Sequence, residues 1–340
     1  MKALVLHGPG SFRVEQDWPR PQARKGWAVV RVRFAGICGS DLPRFAKTGS
    51  YRHPMVLGHE FAGTVAEPAP GSTRHGSGEP VAVLPLIPCG DCPGCLAGQP
   101  FHCARYQFLG SRNDGGFAEY CLVPEENLFP LPEGLDLRIG AFIEPIAVTL
   151  HVARRSGFCP GQSALVFGAG SIGLLLGFWL RILGAVRVAF ADVRAESRAM
   201  ARRLGFEDVF DPSDTKAWDA ARAAAPFDAC FEAAGSSKAL IAAIEATRDL
   251  GIITVVGRDT AETRVPLASF EQLMRKELTV RGCWGYALRG EEDFLFDQLR
   301  RGSFPLLPMI TQEVALEQAP ALVDAMTKGE SYYCKAMIAL

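Results

Sequence analysis

The strongest constraint on the fold is a glycine-rich turn between a strand-like run and a helix-like one. Ala164-Leu165-Val166-Phe167 is short and apolar, Gly168-Ala169-Gly170-Ser171-Ile172-Gly173 follows it, and an apolar helical pattern runs over 171–183. Glycines at the first, third and sixth positions, after a strand and at a helix mouth, match a dinucleotide fingerprint. Gly168 permits the tight turn, Gly170 lets the backbone approach a pyrophosphate, and Gly173 allows close helix–strand packing. Ser171 and Ile172 open the helix, whose free N–H groups and positive dipole end suit phosphate. Asp192 ends the next strand-like run, 22 positions after Gly170. A carboxylate there accepts two ribose hydroxyls and repels a 2′-phosphate, so NAD is expected over NADP. Arg194, close by, is a further cofactor-binding candidate. A glycine turn that binds no nucleotide is the alternative.

The surrounding chain supports a parallel sheet. Strand-like segments at 163–167, 186–191, 227–232 and 252–256 alternate with helix-like segments at 171–183, 194–204 and 236–249. That alternation predicts βαβ units. Residues 1 to about 150 read differently: β-rich, with Pro and Gly in frequent loops and strand candidates at 28–34, 61–65 and 80–84. A helix is expected over 291–300. At 340 residues two domains are expected, bounded at 1–150 and 151–285, with about 286–340 packing back on the first. The net charge of −1 argues against bulk binding to nucleic acid or an anionic membrane. The N-terminal apolar run is too short for a signal peptide, and the most apolar stretch is broken by Arg181, so a cytoplasmic protein is expected.

In a reducing compartment, clustered cysteines point to metal before disulfides. Cys89, Cys92, Cys95 and Cys103 have the spacing C-x2-C-x2-C-x7-C in a loop crowded with Pro and Gly. Four thiolates so placed can reach tetrahedral geometry around one zinc, a closed and therefore structural site. Disulfides or free thiols are the alternatives, and His102 is an alternative ligand. Cys121, Cys159, Cys230, Cys283 and Cys334 are expected to serve packing. A second stretch reads Gly36-Ile37-Cys38-Gly39-Ser40-Asp41 and then Gly58-His59-Glu60-Phe61. A thiolate, an imidazole and a carboxylate are competent zinc ligands, and Ser40 lies two residues past the thiol.

In combination and in this order, residues 38–41, 58–60, the four-cysteine loop and the dinucleotide turn resemble the zinc-dependent medium-chain dehydrogenase/reductase family, over nearly the whole chain. The resemblance is best to its polyol dehydrogenase branch. It is strongest in residues 38–44, 108–112, 114–120 and 275–280. It implies an α/β fold in which a GroES-like, β-rich catalytic domain is joined by a Rossmann domain with a doubly wound parallel sheet. It also implies two zinc ions per chain, NAD, and a homo-oligomer, usually a dimer or tetramer. In that branch a glutamate replaces a cysteine near the third zinc position, and Phe142-Ile143-Glu144-Pro145 supplies Glu144 here. Glu144 capping the following helix is the alternative.

On this reading Cys38, His59 and Glu144 hold the catalytic zinc, with Glu60 an adjacent or exchanging ligand. Ser40 starts a proton relay, or is a plain turn hydroxyl, and Asp41 orients the loop. Many relatives carry a relay histidine a few residues after the cysteine, whereas Leu42, Pro43 and Arg44 stand there in this chain. The expected substrate is a polyol or polyol phosphate of the galactitol 1-phosphate type, with Arg44, Lys47, Arg52 and Arg112 as candidate phosphate contacts. Residues 285–290 are expected to line the substrate cleft. Other readings are oxidation of a sugar acid, vicinal diol or amino alcohol, or a catalytically silent nucleotide-binding relative.

Overall fold

A computed structural model of the chain describes residues 1–224, 226–258, 262–286 and 290–340, so 287–289 of the expected cleft segment lie outside the described residues. The chain forms two compact units: Met1–Pro145 with Leu306–Leu340, and Ile146–Pro305. The helix Glu292–Arg300 therefore belongs with the second unit, and the return to the first comes at Leu306 rather than near 286. Among the described residues, no helix is long and apolar enough to cross a membrane.

The first unit is built on the long strand Trp27–Ile37, whose β-branched and apolar residues are largely buried. It lies between Glu60–Glu67 and Lys335–Ala339, antiparallel to both. The sheet continues through Pro80–Val83 to Leu128–Pro130 on one side and to Ile310–Ala315 on the other. Leu4, Val30, Phe45, Phe61, Phe117 and Ile338, all 1% exposed or less, belong to one apolar core. Register fixes what meets at the end of the central strand. Gly36 pairs Glu60 on one side, and Ile37 pairs Ala336 on the other. Cys38, His59, Glu60 and Lys335 are thereby gathered at one end of the sheet.

The second unit holds a six-stranded sheet in the order Val209–Phe210, Arg187–Ala191, Ser163–Phe167, Phe227–Glu232, Thr247–Val255, Thr279–Gly282. All its pairings are parallel. The order reverses between Ser163–Phe167 and Phe227–Glu232, and ligands of open parallel sheets bind at such switch points. The helix expected over 236–249 is Ser237–Ala246, and a strand begins at Thr247. One local and several long-range contacts set that end: Thr247 Oγ1 donates back to Ala243 O at 2.6 Å, and Lys276 Nζ, distant in sequence, donates to the carbonyls of Ile244, Glu245 and Thr247. The last helical carbonyls are thus satisfied from outside the helix.

Candidate active site

Cys38 leaves the central strand and enters a tight turn. Asp41, fully buried, accepts from Cys38 N at 3.3 Å through Oδ2. Its other oxygen lies 3.4 Å from His59 Nδ1, and neither atom has another hydrogen-bond partner. A carboxylate facing Nδ1 leaves Nε2 free to ligate and fixes the ring, the arrangement metal-binding histidines use. Phe108 packs edge-on against the same ring at 5.7 Å. Donor atoms of Cys38, His59 and Glu60 lie within 4.8 Å of one another. Burial opposes a charged His59, but the Asp41 carboxylate and Cys38 thiolate outweigh it and hold the imidazole well above its usual pKa. The field that attracts this proton also suits a metal cation, so metal binding must displace the proton.

Glu144 is in the first turn of Ile143–Arg155 and is buried beside this group, though outside the set within 4.8 Å. Burial pushes its carboxyl up to about 7; His59 opposes the shift and Glu60 adds to it. Glu60 itself is held by Lys335, with 2.6 Å between Nζ and Oε2. Ser40 is exposed, and its hydroxyl donates to Cys38 Sγ at 3.3 Å. Asp41's place against His59 and the presence of Lys335 go beyond what the sequence suggested. Asp41 had a local signal, its position in the cysteine turn. Lys335 had none, because it stands 275 residues from Glu60.

Cys89, Cys92, Cys95 and Cys103 also bring their sulfurs within 4.8 Å of one another. Backbone N–H groups of Cys95 and Ala104 pull Cys92 down to about 6, while burial pushes Cys95 up to about 12. Arg105 reaches Cys89 Sγ at 3.7 Å and also pairs with Asp91. Four soft donors in this compass fit a closed zinc site, and the Cys38 set fits a mixed-ligand one. Cys121, Cys230 and Cys334 are buried as packing residues should be, whereas Cys159 is exposed.

The glycine turn follows the central strand of the parallel sheet. Gly168 has φ +96°, and a Cβ on Gly173 would lie 1.9 Å from Gly168 O. A Cβ on Gly170, by contrast, would meet nothing within 4 Å. That open space beside a helix start is a cradle of the kind a pyrophosphate fills. Ser171 and Ile172 begin the helix Ser171–Ile182. Asp192 accepts from Ala169 N and from Arg194 N, both at 2.8 Å, and keeps spare lone pairs on each oxygen. Arg194 is exposed at the start of Ala195–Arg203.

Comparison with known proteins agrees with this geometry. Residues 24–133 match the alcohol dehydrogenase GroES-like domain, and 171–299 match the zinc-binding dehydrogenase domain. Galactitol 1-phosphate 5-dehydrogenase of Escherichia coli K12 is 36% identical over 84% of this chain and 83% of its own. L-idonate 5-dehydrogenase (NAD(P)(+)) of the same organism is 32% identical over 92% and 91%. The crystal structure of galactitol-1-phosphate dehydrogenase from Escherichia coli superposes with a TM-score of 0.91 at 32% identity, covering 100% of both chains. With a GroES-like unit, a parallel nucleotide-type sheet and two ligand clusters in place, this chain belongs to the zinc-binding alcohol dehydrogenase family, the medium-chain dehydrogenases.

Proposed function

We propose that the enzyme is a zinc- and NAD-dependent dehydrogenase that oxidises a secondary alcohol of a polyol or polyol phosphate, of the galactitol 1-phosphate type, to the ketone. The observation that carries this is the convergence of Cys38, His59, Glu60 and Glu144, three of them buried, at one end of the first unit's sheet. When bound there, zinc supplies the Lewis acidity that acidifies a substrate hydroxyl, and NAD supplies the hydride acceptor. Cys38, His59 and Glu144 are the proposed ligands, with Asp41 holding His59 in the ligating tautomer. Cys89, Cys92, Cys95 and Cys103 hold a second, structural zinc. Gly168, Gly170, Ser171, Ile172 and Gly173 bind the pyrophosphate, and Asp192 with Arg194 reads the ribose.

Ser40 takes the hydroxyl proton. Its single oxygen can accept and donate, and its exposure lets it release the proton to water. No relay histidine is then needed where Leu42, Pro43 and Arg44 stand. For a substrate phosphate, Arg112 is the best prepared cation. Its guanidinium is stacked between Tyr51 and Tyr106, 4.0 and 4.4 Å from the ring centroids, and its Nε has no hydrogen-bond partner. Arg52, in contrast, is paired with Asp114 at 2.8 Å. We also place the enzyme in the cytoplasm as a homo-oligomer; four clustered cysteines serving as metal ligands fit a reducing compartment.

A second reading, oxidation of a sugar acid, has support from the 32% identity to the idonate enzyme. A guanidinium fork reads a carboxylate as well as a phosphate. One rate panel decides: polyols, polyol phosphates and sugar acids, each with NAD and NADP, alongside zinc analysis. Two zinc ions per chain and highest kcat/KM for a polyol phosphate with NAD are expected. Equal rates for phosphorylated and free polyols would remove the anion contact, and turnover unaffected by Cys38→Ser would remove the mechanism.

A further inference from the structure

Glu232 is a buried acid that the chemistry above leaves without a task. It ends the strand Phe227–Glu232 and is 2% exposed. Burying a carboxylate is costly unless hydrogen-bond donors meet its oxygens. Its Oε1 accepts from Ala234 N at 3.0 Å and from Ser236 N at 3.2 Å, so the side chain closes back on the loop that follows its own strand. Its main-chain oxygen accepts from Val256 N and Gly257 N, both at 2.8 Å, in the loop after Thr247–Val255. One residue thus ties together the loops that leave two neighbouring strands.

Glycines show how closely these loops are fitted. A Cβ on Gly257 would lie 2.2 Å from Gly235 N and 2.7 Å from Glu232 Oε2. On the other side, a Cβ on Gly168 would lie 3.0 Å from Ala234 N. The segment 233–236 is therefore held between the glycine turn and Gly257, and its Ala234 is exposed.

Sheet order decides which part of a dinucleotide meets this segment. Asp192 follows Arg187–Ala191, which pairs with one side of Ser163–Phe167, and Phe227–Glu232 pairs with the other side. A dinucleotide whose pyrophosphate sits on the glycine turn spans that switch point. With its adenosine ribose at Asp192, its nicotinamide riboside half extends over 233–236.

We propose that Glu232 is a positioning residue: by fixing the 233–236 backbone it sets the shelf for the nicotinamide riboside half of the cofactor, without touching the cofactor itself. The proposal rests on the NAD reading given above. The shelf needs an acceptor of the right reach rather than a charge. A glutamine offers a carbonyl oxygen at the same length, with two lone pairs for the two N–H groups. An aspartate keeps the charge but draws its oxygens back by about 1.5 Å, one carbon–carbon bond.

The test is calorimetric titration of the full chain with NADH and with ADP. ADP carries the adenosine and pyrophosphate and lacks the nicotinamide riboside. Glu232→Gln should keep both Kd values within about threefold of the wild type. Glu232→Asp should weaken NADH by about tenfold or more, the scale of one hydrogen bond to a charged acceptor, and leave ADP within about threefold. A purely structural role would weaken NADH and ADP together. A role for the charge would spare Glu232→Asp and damage Glu232→Gln. Either pattern, or an unchanged NADH Kd in Glu232→Asp, overturns the proposal. Gly235→Ala keeps the test independent of how Glu232→Asp folds. Gly235 has φ +67°, and its Cβ would lie 2.7 Å from Arg258 O, so the substitution displaces the same segment from outside. It should weaken NADH selectively, and NADH binding unchanged in it also overturns the proposal. A wild-type chain that binds neither NADH nor ADP overturns the underlying NAD reading instead.

Discussion

Two alanines in one turn separate cofactor contact from folding. Gly170 has φ −79° and ψ −175°, which any residue adopts, and an added Cβ would meet nothing within 4 Å. Gly170→Ala should leave stability within about 0.5 kcal/mol, or raise it by about 0.4–1 kcal/mol by restricting the unfolded chain. The new methyl occupies the space a pyrophosphate needs. Losing one hydrogen bond to a charged phosphate costs about 1.5–3 kcal/mol, or about 10- to 150-fold in NADH Kd. Gly173→Ala behaves otherwise. Its Cβ would lie 1.9 Å from Gly168 O and 3.3 Å from Val166 Cγ1. The turn would have to retreat by about 1.5 Å to reach ordinary contact. Overpacking of this kind costs about 1–3 kcal/mol, a fall of about 2–12 °C in the melting of a unit this size. NADH fluorescence titration with scanning calorimetry reads both quantities. Gly170→Ala should lose binding alone, and Gly173→Ala should lose binding and stability together. If Gly170→Ala bound NADH with the wild-type Kd, the pyrophosphate would not lie on this turn.

Other outcomes follow from single contacts. Asp192→Ala should lower the NAD:NADP ratio of kcat/KM by about tenfold or more, and a constant ratio would show that Asp192 does not read the ribose. Asp41→Asn removes the carboxylate 3.4 Å from His59 Nδ1; zinc affinity at that site should fall about 10- to 100-fold, measured by chelator competition. Asp136 caps the helix Leu137–Gly140 by accepting from Arg138 N at 2.9 Å, and the Arg138 side chain holds its carboxyl below the usual range. Its contribution is therefore fully present above the unfolded value of about 3.9 and is lost as pH falls through the lower folded value. Asp136→Ala should cost about 0.5–1 kcal/mol at pH 7, with the gap to wild type closing as unfolding is measured at successively lower pH below about 4.

The nucleotide-type sheet was legible because its signals are local. A β-branched or apolar run, a glycine turn and an apolar helix follow one another within twenty residues, as seen from Ser163–Phe167 to Ser171–Ile182. The four-cysteine lobe was legible for the same reason: its sulfurs are joined by short turns, so spacing nearly dictates proximity. Cys38 and His59 were recognisable as ligand types. The end of Ser237–Ala246 was misread by pattern, because its carbonyls are satisfied by Lys276, which no local rule connects to them.

The amino-acid sequence alone determined which groups are available: thiols, imidazole, carboxylates and the glycines that let backbone approach phosphate. Only the tertiary structure decided how the carboxylates are placed. Sheet register sets Gly36 against Glu60 and Ile37 against Ala336, which brings Lys335 onto Glu60 and leaves Glu144 buried beside the ligand cluster. Strand pairing of this kind depends on burial and register summed over the whole core. The environment of Glu60, whose partner lies at the far end of the chain, is therefore a property of the fold and not of its neighbours in sequence.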